Sequence, residues 1–317
     1  MLPGLRAAGV KSIDIASVSA TSVEWPGAHP PRLFRSYDVA LAESDAEMVY
    51  VSTVNNLHAE LAQKALERGF HVVIDKPACL GLEETRHIID LAKRKQLCIA
   101  EATVYAYHPR ISKAREAFEE MGSQPSHIVA VFSFPPHRPE NFRYQAELGG
   151  GAMWDLGPYA ITPGRIFFGE PAFEIMSRRL STRGDVDTEF GFLATYPGGR
   201  STVGCFGFTT GYMNRLDIIG PGITVTMERA FSPLANVPTE LTVRRADQVL
   251  TTTIAPADTF ALFFGDFLQA IAQGDHVHFA ATMLVDAVEM ERLRRSCLLG
   301  KTEGLERVKT SGQSGED

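Results

Sequence analysis

The chain has 317 residues, of which 44% are hydrophobic and 22% charged, and a formal net charge of -7 at pH 7, a composition typical of a globular protein long enough for two domains. The acidic balance and the absence of a basic cluster exclude a nucleic-acid partner, because nothing supplies a footprint for phosphates. No stretch reaches the roughly 18 apolar residues of a membrane span, and the N-terminus lacks the pattern of a signal peptide, so we expect a cytoplasmic protein without a membrane partner.

The first hundred residues predict strands that alternate with helices. Strands are predicted at 12–18, 48–52, 70–74 and 97–100. Helices are predicted at 57–68, where Gly69 follows as a C-cap, and at 82–95. This alternation indicates βαβ units, and therefore a Rossmann-like, doubly wound parallel sheet in a dinucleotide-binding domain over residues 1–104.

From about residue 105 the pattern changes to consecutive strands. After a helix at 109–121, strand-like stretches are predicted at 128–134, 190–196, 201–208, 215–219 and 241–243. Strands that follow one another indicate a mostly antiparallel, open sheet in an α+β domain over residues 105–300, with helices at 154–168, 259–273 and 280–298 covering one face. The polar residues 301–317 predict a flexible tail.

One expected element is missing from the sequence. A dinucleotide-binding fold opens with a strand, a G-x-G-x-x-G loop and a helix, but residues 1–9 have the pattern of the end of that helix and no such loop precedes them. In the strand order 3-2-1-4-5-6 the first strand is central, so its loss leaves two strand edges unpaired. We expect about 20–30 further residues upstream; the alternative is a true truncation with an impaired nucleotide site.

The tripeptide Asp75-Lys76-Pro77 closes the apolar strand at 70–74. Ligands of a doubly wound sheet bind beyond the carboxyl ends of its strands. Lys76 is therefore predicted to face the ligand crevice, although a solvated lysine at a strand exit fits the tripeptide equally well.

A series of motifs in a fixed order resembles the glucose-fructose oxidoreductase/inositol 2-dehydrogenase (Gfo/Idh/MocA-type) family of NAD(P)-dependent enzymes. The motifs are residues 53–58, 75–77, 101–102, 105–109, 141–143, 149–151 and 155–159. The resemblance implies hydride transfer between a nicotinamide and the carbonyl or secondary alcohol of a sugar, nucleotide-sugar or cyclic polyol. It gives catalytic roles to Lys76, Asp155 and Tyr159. Many members have His where this chain has Tyr159, and the tyrosine is similar to that of nucleotide-sugar 3-ketoreductases and dihydrodiol dehydrogenases.

The chemistry of the catalytic set follows from its residue types. Asp155 and Tyr159 lie four apart and therefore share one face of a helix. An ammonium beside a phenol favours the phenolate, so we expect Lys76 to lower the pKa of Tyr159 and the tyrosine to exchange a proton with substrate. Asp155 would orient either group or accept a hydrogen bond from a substrate hydroxyl. For Tyr159 the alternative is a core aromatic with a satisfied hydroxyl.

The resemblance also implies residues that bind the cofactor and the substrate. Cofactor contacts are expected from Ser19, Thr53, Asn55, His58, Lys76, Pro77 and Glu101, and substrate contacts from Tyr107, His108 and Arg143. The alternatives are an Asx cap at Asn55, a turn at Glu101 and a solvated charge at Arg143.

Cofactor choice, assembly and a second function complete the expectations. No acidic residue follows the strand at 12–18 to bind a ribose 2′-hydroxyl, which favours NADP slightly over NAD. The resemblance implies a homodimer or homotetramer formed through the open sheet. Four widely spaced cysteines lack a metal-ligand pattern, so we expect reduced thiols and no metal. The alternative function is a non-catalytic, carbohydrate-binding or partner subunit, because the phosphate loop is missing.

Overall fold

The structure, a computed structural model, describes residues 2–20, 22 and 30–299, so the predicted tail at 301–317 lies outside the described residues. Within these ranges no helix is both long and apolar enough to cross a membrane. The same ranges hold no group of three or more His, Cys, Asp or Glu side chains arranged to bind a metal ion.

The first third of the chain forms two parallel sheets. In chain order the elements are α1 (Leu2–Ala7), β1 (Ile15–Ala16), β2 (Leu33–Phe34), α2 (Tyr37–Glu43), β3 (Met48–Val51), α3 (His58–Glu67), β4 (His71–Ile74), α4 (Leu82–Lys95) and β5 (Ile99–Glu101). Strands β1 and β2 pair in parallel, and β3, β4 and β5 form a separate parallel sheet in that order. In the described part of the chain no strand joins β1 to β3, so these strands form two separate sheets.

The three-stranded sheet is covered on both faces, as expected for a doubly wound fold. Val72 and Ile74 pack with residues of α3 and α4 in one apolar cluster. Val73, between them, points to the opposite face and packs with Leu5 of α1. This alternation follows from the two-residue period of a strand. Because helices cover both faces, the carboxyl ends of β3, β4 and β5 are the open edge of the sheet.

The rest of the chain forms an eight-stranded sheet and its helices. The elements are α5 (Pro109–Glu120), β6 (His127–Ser133), α6 (Ala152–Phe168), β7 (Glu174–Arg183), β8 (Val186–Tyr196), β9 (Arg200–Gly207), β10 (Met213–Gly220), β11 (Ile223–Glu228), β12 (Thr239–Arg245), β13 (Gln248–Ile254), α7 (Thr259–Gln273) and α8 (His278–Leu299). The strand order is β13-β12-β11-β10-β6-β9-β8-β7. Only the β6–β9 pair is parallel among these described strands, which confirms the mostly antiparallel sheet.

Some elements differ from the predictions. The strand predicted at 12–18 is reduced to Ile15–Ala16, while β7, β11 and β13 have no predicted counterpart. Most residues of β7 and β13 are exposed, so the apolar alternation that would identify them is absent.

The predicted position of α7 is wrong. This helix does not cover the antiparallel sheet but packs against α1 and the parallel sheet. Phe263, Phe264 and Phe267 form its buried face, and they share an apolar cluster with Val73 and Ala100. The chain therefore returns from the antiparallel sheet to the parallel one, where these three rings are buried.

Candidate active site

Lys76 lies directly beyond the carboxyl end of β4. Its backbone N–H donates to Asp75 Oδ1 at 2.9 Å, and the Lys76–Pro77 peptide bond is cis. The lysine side chain is 16% exposed. The structure therefore confirms that Lys76 is not a freely solvated lysine at a strand exit.

Lys76 meets both residues predicted on α6. Its Nζ donates to Asp155 Oδ1 at 2.8 Å and to the Asp155 carbonyl oxygen at 2.7 Å. The same Nζ lies 5.1 Å from the centroid of the Tyr159 ring. The four-residue spacing on one helical face thus places a carboxylate and a phenol beside one ammonium.

Arg143 completes this cluster from the segment before α6. Its Nε donates to Asp155 Oδ2 at 2.6 Å and its Nη2 donates to Oδ1 at 3.2 Å. The Asp155 carboxylate, 8% exposed, therefore lies between two cations. Arg143 is thus not the solvated charge that the sequence left open.

The charges of the cluster stabilise one another. Burial alone would raise the pKa of Asp155, but Lys76 and Arg143 outweigh it and hold that pKa well below its usual value. Burial likewise would lower the pKa of Lys76, yet the Asp155 carboxylate and Tyr159 raise it. At neutral pH the cluster therefore contains an ammonium, a carboxylate and a guanidinium.

The pKa of Tyr159 moves opposite to the prediction. Lys76 and Arg143 lower it, as expected from the residue types, but burial raises it more, and Asp155 and Asp75 add to that rise. The net pKa lies above the ordinary value of a phenol, so Tyr159 keeps its proton at neutral pH. The error came from weighing the ammonium without the desolvation.

Aromatic side chains surround Tyr159. Its ring contacts those of Phe132, Phe231 and Tyr105 with centroids 5.3 to 5.8 Å apart. Within the described ranges its hydroxyl makes no hydrogen bond, whereas the Tyr105 hydroxyl bonds to Thr162 Oγ1 at 2.6 Å. Tyr159 is therefore not the core aromatic with a satisfied hydroxyl that was the alternative.

A carboxylate from the sheet fixes the start of α6. Asp187 Oδ2 accepts a hydrogen bond from the Met153 backbone N–H at 2.6 Å. Gly151, which precedes the helix, has a φ of +117°, and a Cβ there would lie 2.7 Å from Asp187 Oδ1. A Cβ at Gly150 would lie 2.7 Å from three backbone carbonyl oxygens. These glycines permit close packing that orients Asp155 and Tyr159.

Asn55 and Asn56 connect the two parts of the chain. Asn55 Nδ2 donates to the Gly149 carbonyl oxygen at 2.9 Å, and Asn56 Nδ2 donates to that of Glu147 at 2.9 Å. Asn55 is buried, and it does not form the Asx cap that was its alternative, since the short helix at Asn55–Leu57 has no side-chain cap. Its amide instead ties the exit of β3 to the segment that carries Arg143.

The other predicted cofactor residues lie near the ends of the parallel strands. His58 is buried, with its ring nitrogens 2.9 Å from the Pro77 carbonyl oxygen and 3.1 Å from that of Thr53. Glu101 Oε2 accepts from the Ala78 backbone N–H at 3.0 Å, and burial, with Asp286 nearby, raises the pKa of Glu101 to about 7. Ser19 is exposed beyond β1.

Two predicted substrate residues are not brought to this cluster. His108 is buried and caps α5, its Nδ1 accepting from the Arg110 backbone N–H at 3.2 Å. Tyr107 packs edge-on against Phe263 of α7, with centroids 5.3 Å apart. Tyr105 is the tyrosine of this motif that contacts Tyr159. The two tyrosines point to different sides of a short helix, and the motif alone did not show which of them faces Tyr159.

Sequence reasoning missed Tyr105, Asp187 and His137. A tyrosine two residues from a predicted pocket residue is a signal that could have found Tyr105. Asp187 acts across 34 residues of chain, so no local pattern identifies it. His137 packs against Phe134 in the aromatic cluster that reaches Tyr159. It follows β6 in the proline-rich run 135–139, and a histidine beyond a strand end was a usable signal.

Two profiles of one family match the sequence. The GFO/IDH/MocA profile, described as an oxidoreductase family with an NAD-binding Rossmann fold, matches residues 2–103. The profile of the GFO/IDH/MocA C-terminal domain matches residues 119–226. Together the matched segments cover more than half of the chain.

Two relatives and one solved structure illustrate what the chain is similar to. D-xylose 1-dehydrogenase (NADP(+)) 2 from Haloferax volcanii is 28% identical over 85% of this chain and 82% of its own. A dTDP-3,4-didehydro-2,6-dideoxy-alpha-D-glucose 3-reductase from Actinomadura kijaniata is 29% identical over 76% of this chain and 73% of its own. A 3-ketoreductase from Actinomadura kijaniata, solved in complex with NADP and TDP-benzene, has a TM-score of 0.83 and 26% identity over 93% of both chains.

Proposed function

The chain belongs to the GFO/IDH/MocA family of NAD(P)-dependent oxidoreductases, and from that premise we propose that it transfers a hydride between a nicotinamide cofactor and the carbonyl or secondary alcohol carbon of a sugar, nucleotide-sugar or cyclic polyol. The observation that carries the proposal is the contact of Lys76 with both Asp155 and Tyr159. The relatives are oxidoreductases, so the non-catalytic alternative is not retained.

The groups at the strand ends suit a nicotinamide cofactor. Lys76 commits two of its three N–H donors to Asp155 and keeps one. Thr53 and Pro77 lie at the same edge of the parallel sheet, and the backbone there is where cofactors of such sheets bind. These residues would hold the nicotinamide end. NADP is favoured, because the relatives use it and Ser19 brings no carboxylate to the end of β1.

The proton chemistry follows from the cluster. When bound, the nicotinamide supplies or accepts the hydride. Tyr159 holds its proton at neutral pH, because burial raises its pKa, and it donates that proton to the carbonyl oxygen on which negative charge develops. The free N–H of Lys76 stabilises the same oxygen. Asp155, paired with Lys76 and Arg143, keeps the ammonium in place. Ketone reduction uses the proton that Tyr159 holds at neutral pH, so we expect reduction to be faster there than alcohol oxidation.

The open face of the large sheet supports a homodimer or homotetramer. Met176, Leu193, Val203 and Val129 align in adjacent register on this face. Met176 and Val203 are 44% and 43% exposed, and an exposed apolar row of this kind marks an interaction surface. Sedimentation of wild type and of Val203→Asp, which puts a charge into the apolar row, tests the assembly. A monomeric wild type would contradict it.

We propose the cytoplasm as the location of the protein.

A substrate panel tests the function. Wild type is mixed with NADP+ and D-xylose or scyllo-inositol, or with NADPH and a dTDP-linked 3-keto sugar, and NADPH absorbance is followed. We expect turnover of at least one substrate, fastest in the reductive direction. The absence of both turnover and NADPH binding across the whole panel would contradict the proposed function.

A further inference from the structure

His137 lies four residues beyond the end of β6, in the segment that leads to Arg143 and α6. Its backbone N–H donates to the Tyr144 hydroxyl at 3.1 Å. The charge of Arg143 also acts on the His137 ring and lowers its pKa beside the effect of burial, so the histidine lies near the residue that pairs with Asp155. No role in the proposed mechanism has been given to this histidine.

The imidazole of His137 is packed in an aromatic wall. Its centroid lies 5.0 Å from that of Phe134 and 5.7 Å from that of Phe208. The wall continues to the reactive tyrosine, since Phe134 contacts Phe132 and Phe132 contacts Tyr159. The imidazole is therefore connected to Tyr159 through one continuous aromatic cluster.

One ring nitrogen of His137 has no partner. Its Nε2 is buried and makes no hydrogen bond within the described ranges. A buried polar atom left unpaired is destabilising, and native proteins keep few of them. The aromatic neighbours offer Nε2 no strong acceptor or donor, so a ligand atom is the natural partner.

Arg143 supplies the complementary group. It commits Nε and Nη2 to Asp155, and its Nη1 makes no hydrogen bond to any described residue. Nη1 can only donate, whereas a neutral imidazole nitrogen can accept. Burial and the charge of Arg143 lower the pKa of His137 against the smaller opposing effect of Asp155, which favours the neutral ring.

We propose that His137 Nε2 and Arg143 Nη1 form a subsite that binds one hydroxyl group of the sugar substrate. A hydroxyl accepts from Nη1 and donates to Nε2 at once, which a carboxylate, a phosphate or a keto oxygen does not. Phe134, which is only partly buried, contacts the C–H face of the same sugar ring. This inference rests on the proposed function and adds a residue that determines specificity.

The test compares three variants with wild type on the panel substrate that wild type turns over. His137→Phe keeps the ring packing and removes the nitrogen, His137→Gln returns a polar atom, and Arg138→Ala is an exposed control in the same segment. We expect His137→Phe to lower kcat/KM about tenfold through KM, as for one lost hydrogen bond. The KM for NADP+ stays unchanged, His137→Gln recovers part of the loss, and Arg138→Ala resembles wild type.

Monodeoxy analogues of that substrate sharpen the test. Wild type discriminates against each analogue that lacks a bound hydroxyl, and His137→Phe loses discrimination against one of them only, because that variant no longer binds the missing group. Equal discrimination by both proteins, or an unchanged KM in His137→Phe, would overturn the subsite.

A binding measurement separates this proposal from the proposed function. In the chain labelled with [15N]histidine, the signal of His137, identified by its loss in His137→Phe, is followed as D-xylose or scyllo-inositol is added with NADP+. We expect a saturable shift of the His137 Nε2 resonance. Such a shift without turnover would contradict the proposed catalytic function but support the subsite. Saturable sugar binding, or turnover, without that shift overturns the subsite, and no binding at all overturns both.

Discussion

Asp155→Asn removes the anion that Lys76 and Arg143 share. Breaking a buried ion pair costs about 3–5 kcal/mol, because the partner charge stays buried without compensation. Here the cations are 16% and 25% exposed, and the amide keeps one oxygen that accepts from Lys76 while its NH2 faces the Arg143 donors. We therefore expect a loss of about 3 kcal/mol of unfolding free energy, the low end of that range.

The assay is thermal unfolding followed by circular dichroism between pH 3 and 8. A loss of this size lowers Tm by roughly 5 °C in a chain of this length. Since the pKa of Asp155 is held below its usual value, its contribution is complete above about pH 4 and is lost as the pH falls further. The difference in Tm between wild type and Asp155→Asn should be constant from pH 5 to 8 and should become smaller below about pH 4.

A matched control fixes the interpretation. Asp45, 99% exposed and 3.8 Å from Arg32, should tolerate Asp45→Asn without a measurable change in Tm. If Asp155→Asn unfolds at the wild-type temperature, or if the gap persists unchanged to pH 3, the shared-anion reasoning is refuted.

Three further predictions concern the tyrosine, the start of α6 and the connection between the two parts. Because burial raises the pKa of Tyr159, kcat/KM for ketone reduction should be flat from about pH 6 to 9 while kcat/KM for alcohol oxidation rises with pH, and a reductive kcat/KM that falls as the pH rises through neutrality would contradict a tyrosine that keeps its proton there. Gly151→Ala should cost about 3 kcal/mol in urea unfolding, against about 1 kcal/mol for Gly169→Ala, whose Cβ meets nothing within 4 Å; equal costs would count against the clash. Asn55→Asp, which removes a buried donor, should lower kcat/KM at least about tenfold more than the exposed Asn56→Asp, and equal effects would remove Asn55 from the positioning of α6.

The sequence predicted the fold class because its strongest patterns are local. The alternation of apolar strands with amphipathic helices identified the parallel sheet, and consecutive strands identified the antiparallel one. The polar edge strands β7 and β13 lack such a pattern, and the destination of α7 depends on which apolar face elsewhere is uncovered. These features are decided by tertiary packing.

The candidate site was also predicted only in part, because only some of its residues are identified by local sequence patterns. The four-residue spacing placed Asp155 and Tyr159 on one face, and the strand exit placed Lys76 at the crevice. The second cation on Asp155 and the cap from Asp187 depend on how distant segments meet. The pKa of Tyr159 was misjudged because desolvation is a property of the packed protein.

The most direct test of the account is the effect of Lys76→Ala on turnover and on cofactor binding, measured together. NADPH affinity is followed by fluorescence titration and hydride transfer by single-turnover absorbance, with the exposed Lys113→Ala as a control. We predict that Lys76→Ala slows hydride transfer at least about 100-fold, changes NADPH affinity only slightly, and that the control behaves as wild type. Hydride transfer at the wild-type rate in Lys76→Ala would contradict the central claim.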